Sequence, residues 1–150
     1  MSENAVLTFV PSIIQETLPG YHDAVFYWCR FSPILTCKDT DRLVLYFGAA
    51  DYKADVYVNG VFLGSHEGGE TPFSFDVTGI VKQEEENLLA VRIVNPIVED
   101  IDELNIVNVP NRNKAPVNMA GASTNHGGLW GEVSLRCISA VFLEDVYYTR

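Results

Sequence analysis

Apolar and polar residues alternate with a period of two through most of this 150-residue chain, and turn residues punctuate the runs. Residues 25–32 (VFYWCRFS) form an aromatic-rich run. Residues 42–47 (RLVLYF) set Leu43, Leu45 and Phe47 on one face and Val44 and Tyr46 on the other. Residues 54–58 and 61–64 flank an Asn59-Gly60 dipeptide, whose tolerance of positive φ suits the type I′ turn of a tight hairpin. After Gly68-Gly69 and Thr71-Pro72, residues 73–77 alternate again. Residues 87–94 (NLLAVRIV), 129–137 (LWGEVSLRC) and 141–148 (VFLEDVYY) bring the total to roughly eight expected strands. Helical periodicity is weak. A single capped turn is expected after Asp76, with Asp76 or Thr78 holding exposed N–H groups. The pattern therefore predicts an all-β, two-sheet sandwich in one domain over residues 1–150.

Residues 95–128 break the pattern. They are rich in Asn, Pro, Gly and Ser and lack sustained alternation, and a loop longer than about 12–15 residues inside a compact domain is usually functional or disordered. The short acidic run at Glu84, Glu85 and Glu86 reads as a solvated turn between strands.

Composition narrows the function classes. A chain of this length buries about 68–70% of its unfolded surface, and its 47% hydrophobic and 20% charged residues are ordinary for a globular protein. The formal charge is −10 with no basic cluster, which disfavours nucleic acid and anionic membranes as partners and suits a neutral small molecule. No apolar run approaches the roughly 20 residues that span a bilayer. The N-terminus has neither a positive n-region nor a compact apolar h-region, so a cytoplasmic protein is expected, with a periplasmic or secreted parent left open. Cys29, Cys37 and Cys137 form no metal-ligand pattern. They are expected as reduced thiols, Cys29 within its strand, with a Cys29–Cys37 disulfide as the alternative.

Several phrases of the chain resemble the N-terminal sugar-binding domain of glycoside hydrolase family 2, which includes β-galactosidases and β-glucuronidases. They are VYVNG at 56–60, GSHEGGETPFSFDVT at 64–78, DAVFYWCRF at 23–31, NLLAVR at 87–92 and GGLWGEV at 127–133, and they follow the family's order. The resemblance implies a jelly-roll sandwich of the galactose-binding-domain-like type. It also implies a parent with an immunoglobulin-like domain and a (β/α)8 barrel carrying the two catalytic glutamates. A retaining glycosidase needs paired carboxyl groups about 5–5.5 Å apart, and the family supplies neither from this domain. This chain is therefore expected to be non-catalytic, with carbohydrate and the remaining domains of its parent as partners. Self-association through apolar surface meant for those neighbours stays open.

The resemblance assigns substrate contacts to the long loop, where Asn125, His126, Arg112 and Asn113 are the candidates, with Asn118 behind them. Planar amides and guanidinium groups suit sugar hydroxyls, while Asn also satisfies loop backbone. Asn59 is a further candidate, though a type I′ turn wants Asn for conformational reasons alone. Asp51, Asp55, His66 and Glu67 lie on or beside the hairpin, with His66 read as a packing or hydrogen-bonding residue. The acidic group at 99–103 lacks the ligand spacing of an EF-hand and reads as a solvated face. No cofactor is implied, and a structural cation in an irregular loop is left open. Trp28 and Trp130 sit in apolar runs and are expected in the core, with sugar stacking as the alternative. Two rival functions stand beside the family reading: a freestanding carbohydrate-binding module, and a structural or interaction domain.

Overall fold

The structure, a computed structural model, describes residues 5–38, 40–109, 125–139 and 141. Among the described residues, one short helix, α1 (Ile14–Thr17), precedes seven strands: β1 (Asp23–Phe31), β2 (Arg42–Phe47), β3 (Lys53–Val58), β4 (Val61–Glu67), β5 (Phe73–Asp76), β6 (Asn87–Asn95) and β7 (Val133–Ile138). They form two antiparallel sheets, a four-stranded one in the order β1-β6-β3-β4 and a three-stranded one in the order β5-β2-β7. The chain crosses between sheets after β1, β2, β4, β5 and β6, so the inner faces of both are lined by segments distant in sequence.

The period-two pattern places the core. Leu43, Leu45 and Phe47 of β2 are buried against Ala54, Val56 and Val58 of β3 and Leu89, Val91 and Ile93 of β6. The Asn59-Gly60 turn closes the β3–β4 hairpin with both residues at positive φ. A register shift between Val56 and Tyr57 lets Leu63 pack on the core while Phe62 pairs with Tyr57.

Several expectations are corrected. The late strand begins at Val133 rather than at residue 129, because Gly127 to Glu132 is engaged in other backbone pairing described below. The single capped turn expected after Asp76 does form, with Ile80 and Val81 amides donating to the Val77 carbonyl and Thr78 N–H donating to Asp76 Oδ1. The helix that does form, α1, precedes β1 and carries no helical signature in the sequence. Cys37 and Cys137 form a disulfide (Cα–Cα 5.9 Å) and Cys29 is free and exposed, contrary to the expectation of three reduced thiols or a Cys29–Cys37 pair. Pairing of β2 with β7 sets Cys137 opposite Leu43, beside the loop that carries Cys37. Trp28 and Trp130 are exposed, not core residues. The strand expected at 141–148 lies, beyond Val141, outside the described residues, as do Arg112, Asn113 and Asn118.

The end of β5 carries a pH-dependent contact. The Asp76 carboxylate accepts from Thr78 N–H at 2.9 Å and from Arg42 Nε and Nη2 at 2.8 and 2.7 Å. Hydrogen bonding by Thr78 through side chain and backbone, followed by Arg42, lowers its pKa from 3.8 to about 2. A depressed folded-state pKa means a stabilising contribution present above pH 3.8 and lost as pH falls through about 2. Because the pair is partly exposed, that contribution is modest. Asp76→Asn is expected to lower the urea midpoint at neutral pH and to flatten its decline over the acid range, as a pH series of denaturation curves will show.

Candidate functional site

The four residues Asn125-His126-Gly127-Gly128 close the long loop and feed a three-stranded seam at one end of the sandwich. On one side Ser12 N–H donates to Leu129 O (2.9 Å) and Ile14 N–H to Gly127 O (2.7 Å). On the other, Asp51 and Gly128 exchange both backbone hydrogen bonds, at 2.9 and 2.8 Å. Further along, Gly131 N–H donates to Ala49 O and Gly48 N–H to Glu132 O. The stretch 127–132 thus runs between the N-terminal strap and the segment leading into β3, which is why it does not join β7.

A polar cluster backs this seam. Asn125 is only 6% exposed; its Nδ2 donates to Pro96 O at 2.6 Å, while its Oδ1 has no hydrogen-bond partner among the described residues. Gly127 N–H donates to Gln15 Oε1 at 3.3 Å, and Gln15 Nε2 donates to Tyr21 O at 2.7 Å. Asn95, fully buried at the end of β6, has its Nδ2 within hydrogen-bond distance of His22 Nδ1, at 3.0 Å. The Asn95 side chain also fills the space a Cβ at residue 127 would need, so only glycine fits there.

In front of the cluster, Ile13, Asp51, His126, Gly127 and Trp130 line a small, shallow depression of about 30 Å³, open to solvent. Trp130 is held as one wall by donation from Nε1 to Gly69 O (2.7 Å), in the Gly68-Gly69 turn of the hairpin region. Gly68 N–H in turn donates to Tyr52 O. The opening therefore brings an imidazole and an indole together, with the buried Asp51 behind them. Burial raises the phenol pKa of Tyr27, opposed by a backbone hydrogen bond to Leu129; burial, then Glu67 and Asp51, raise that of Tyr52. Both phenols beside the site are neutral at physiological pH.

Of the sequence candidates, His126 lines the cleft and Asn125 lies buried behind it. Asn59 is at the opposite end of β3. Its Nδ2 donates to Ile80 O and Asn87 Oδ1, and its Oδ1 accepts from Leu88 N–H, all at 2.9 Å. That amide ties the β3–β4 turn to the loop before β6. Ile13, Asp51, Gly127 and Trp130 are the cleft residues sequence reasoning did not place there. The signals were present: Asp51 opens the hairpin phrase, and Trp130 sits two residues after Gly128.

The sequence and fold match a known class. Residues 5–112 match the family of glycosyl hydrolases family 2, sugar binding domain, and the chain belongs to that family. Among its relatives, the beta-galactosidase of Thermoanaerobacter pseudethanolicus is 32% identical over 108 residues, covering 71% of this chain and 13% of that protein. The beta-glucuronidase of Paenibacillus borealis is 29% identical over 114 residues, covering 73% of this chain and 19% of that one. The solved beta-glucuronidase of an uncultured Clostridium sp. superposes with a TM-score of 0.64 at 25% identity, over 91% of this chain and 24% of that one. The chain thus spans less than a quarter of the length of each of these proteins.

Proposed function

We propose that this domain forms one wall of the sugar pocket of a β-galactosidase- or β-glucuronidase-type enzyme whose catalytic carboxylates lie on other domains. The observation that carries this reading is the cleft of Asp51, His126 and Trp130, set at the loop end of a family 2 sugar-binding domain. Each group has a task suited to a pyranoside. The Trp130 face packs against ring C–H groups. His126 donates to or accepts from hydroxyls according to its tautomer, and the buried Asp51 forms the wall behind it. The seam of backbone hydrogen bonds holds these groups on rigid elements, so little ordering cost accompanies binding.

The chain has two tryptophans, so Trp28→Phe leaves Trp130 as the sole indole reporter of the cleft. Titration with methyl β-D-galactopyranoside and methyl β-D-glucuronide is expected to shift Trp130 emission with one of the two sugars, more weakly than about 1 mM because one wall supplies only part of the contacts; a millimolar or tighter constant favours a freestanding carbohydrate-binding module. Adding His126→Ala is expected to weaken that binding several-fold. Aryl-glycoside hydrolysis by the pure protein is expected to stay at background. Turnover by this chain alone, or no response to either sugar, overturns the reading.

A further inference from the structure

The Asn59-Gly60 pair at the tip of the β3–β4 hairpin carries covalent chemistry that neither the fold nor the cleft uses. It is the only place in the chain where an asparagine or aspartate precedes a glycine, and both residues are exposed to water. Glycine has no side chain to hinder attack by its own amide nitrogen. In that attack the Gly60 nitrogen bonds to Asn59 Cγ and the Cγ–Nδ2 bond breaks. Nδ2 leaves as ammonia, taking up the proton lost from the Gly60 amide. Water then opens the cyclic imide, its hydroxyl going to a carbonyl carbon and its proton to the ring nitrogen. Opening at Cγ gives aspartate. Opening at the Asn59 main-chain carbonyl gives isoaspartate, in which the chain runs on through the former side chain.

The folded turn holds the reacting groups apart. Asn59 and Gly60 have φ of 53° and 81°, and they link the paired residues Val58 and Val61, as a type I′ turn does. Such a turn sets ψ of its first central residue at about +30°. That angle turns the Asn59 Cβ away from the Gly60 nitrogen, whereas ring closure needs the two eclipsed. The side-chain amide is also anchored. Its Nδ2 donates to Ile80 O and Asn87 Oδ1, and its Oδ1 accepts from Leu88 N–H, so swinging Cγ toward Gly60 breaks three bonds. We propose that Asn59 is a deamidation site gated by the fold: the closed turn is inert, and the reaction runs only from molecules whose turn has opened. The product unties what the amide held. An oxygen in place of Nδ2 faces Ile80 O and Asn87 Oδ1, acceptor against acceptor. Asn87 is not free to turn over and meet it, because its amide already donates to Lys82 O and Glu85 O and accepts from Lys82 N–H. Isoaspartate also lengthens the main chain by one carbon, which a two-residue turn of fixed register does not absorb. Each modified molecule therefore records an opening of the hairpin and does not close it again in the same way.

Trypsin releases a peptide from Ala54 to Lys82 in which Asn59 is the only asparagine and glutamine is absent, so its mass reports this residue alone. The chain is incubated at mildly alkaline pH, folded in one series and in guanidinium chloride in the other, then digested and read by mass spectrometry. In denaturant the amide-to-acid mass gain is expected in this peptide before any other asparagine peptide, as two isomers that separate on chromatography. In the folded chain the same gain is expected at least about tenfold more slowly, because only the open fraction reacts. Asn59→Asp, which places the unrearranged product in the turn, is expected to lower the urea midpoint. Equal rates in the folded and unfolded chain overturn the gate, and earlier reaction of another asparagine in denaturant overturns the site. An Asn59→Asp midpoint equal to that of the parent overturns the untying of the hairpin. The rate comparison needs no substitution, so it stands whether or not Asn59→Asp folds.

Discussion

Phe47→Ala is expected to destabilise the domain by about 3–5 kcal/mol, a third or more of the total stability of many domains. The ring is fully buried at the end of β2, between the two sheets. It stacks on Phe73 of β5 with centroids 4.8 Å apart, and Phe73 in turn stacks on His66 of β4 at 4.1 Å. This column links the three-stranded sheet to the hairpin sheet, so truncation at its base removes transfer free energy and leaves a hole that neither sheet can collapse to fill. The backbone of β2 is paired on both sides, with Phe73 and with Val133, which limits relaxation further. Urea denaturation followed by far-UV circular dichroism is expected to show a lower midpoint with an unchanged m-value. Phe62→Ala serves as the contrast: its ring lies on the outer face, and the expected change is within about 0.5 kcal/mol. Equal losses in the two variants would contradict the assignment of inner and outer faces.

That contrast also marks where sequence reasoning reached its limit. In residues 42–47 alternation separates Leu43, Leu45 and Phe47 from Val44 and Tyr46, and the structure buries the first set, together with Leu89, Val91 and Ile93 of β6. In residues 25–31 both faces are apolar or aromatic. Alternation states only that Val25 and Tyr27 oppose Phe26 and Trp28; pairing with β6 decides which pair is covered. The disulfide was hidden for a different reason. Its cysteines are 100 residues apart and meet only because β2 and β7 pair, a non-local event with no local signature. The candidate site was legible in part. His126 stood out as a polar residue in a long loop, whereas Asp51 and Trp130 became cleft walls only when the Gly127–Glu132 stretch was drawn between the strap and the β3 entry. The Asn59-Gly60 hairpin was legible as a turn, and the structure employs the Asn59 amide at that same turn.

The seam that builds the cleft should be broken by Gly128→Ala, with an expected loss of about 2–5 kcal/mol from backbone strain and overpacking combined. Gly128 has φ +135°, a region that side chains rarely adopt. A Cβ there would stand 2.9 Å from Ser12 O, 3.0 Å from Ile14 N and 3.1 Å from the Tyr27 hydroxyl. Two of these three neighbours are backbone atoms, so they cannot swing aside. Either the strap around Ser12 and Ile14 moves off, losing the bonds from Ser12 N–H and Ile14 N–H, or residue 128 shifts and breaks its paired bonds with Asp51. Both routes displace a cleft wall, Ile13 in the first and Asp51 in the second. Gly60→Ala separates strain from crowding, because Gly60 has φ +81° with nothing within 4 Å of a built Cβ. It should cost about 1–2 kcal/mol, the price of a left-handed backbone alone. In the Trp28→Phe background, Gly128→Ala is expected to alter Trp130 emission even in the folded protein and to abolish the sugar response. Gly60→Ala, at the far end of β3, is expected to leave that emission unchanged. Retained sugar binding in Gly128→Ala would show that the cleft does not depend on the seam, and the site would then have to be sought elsewhere on the domain.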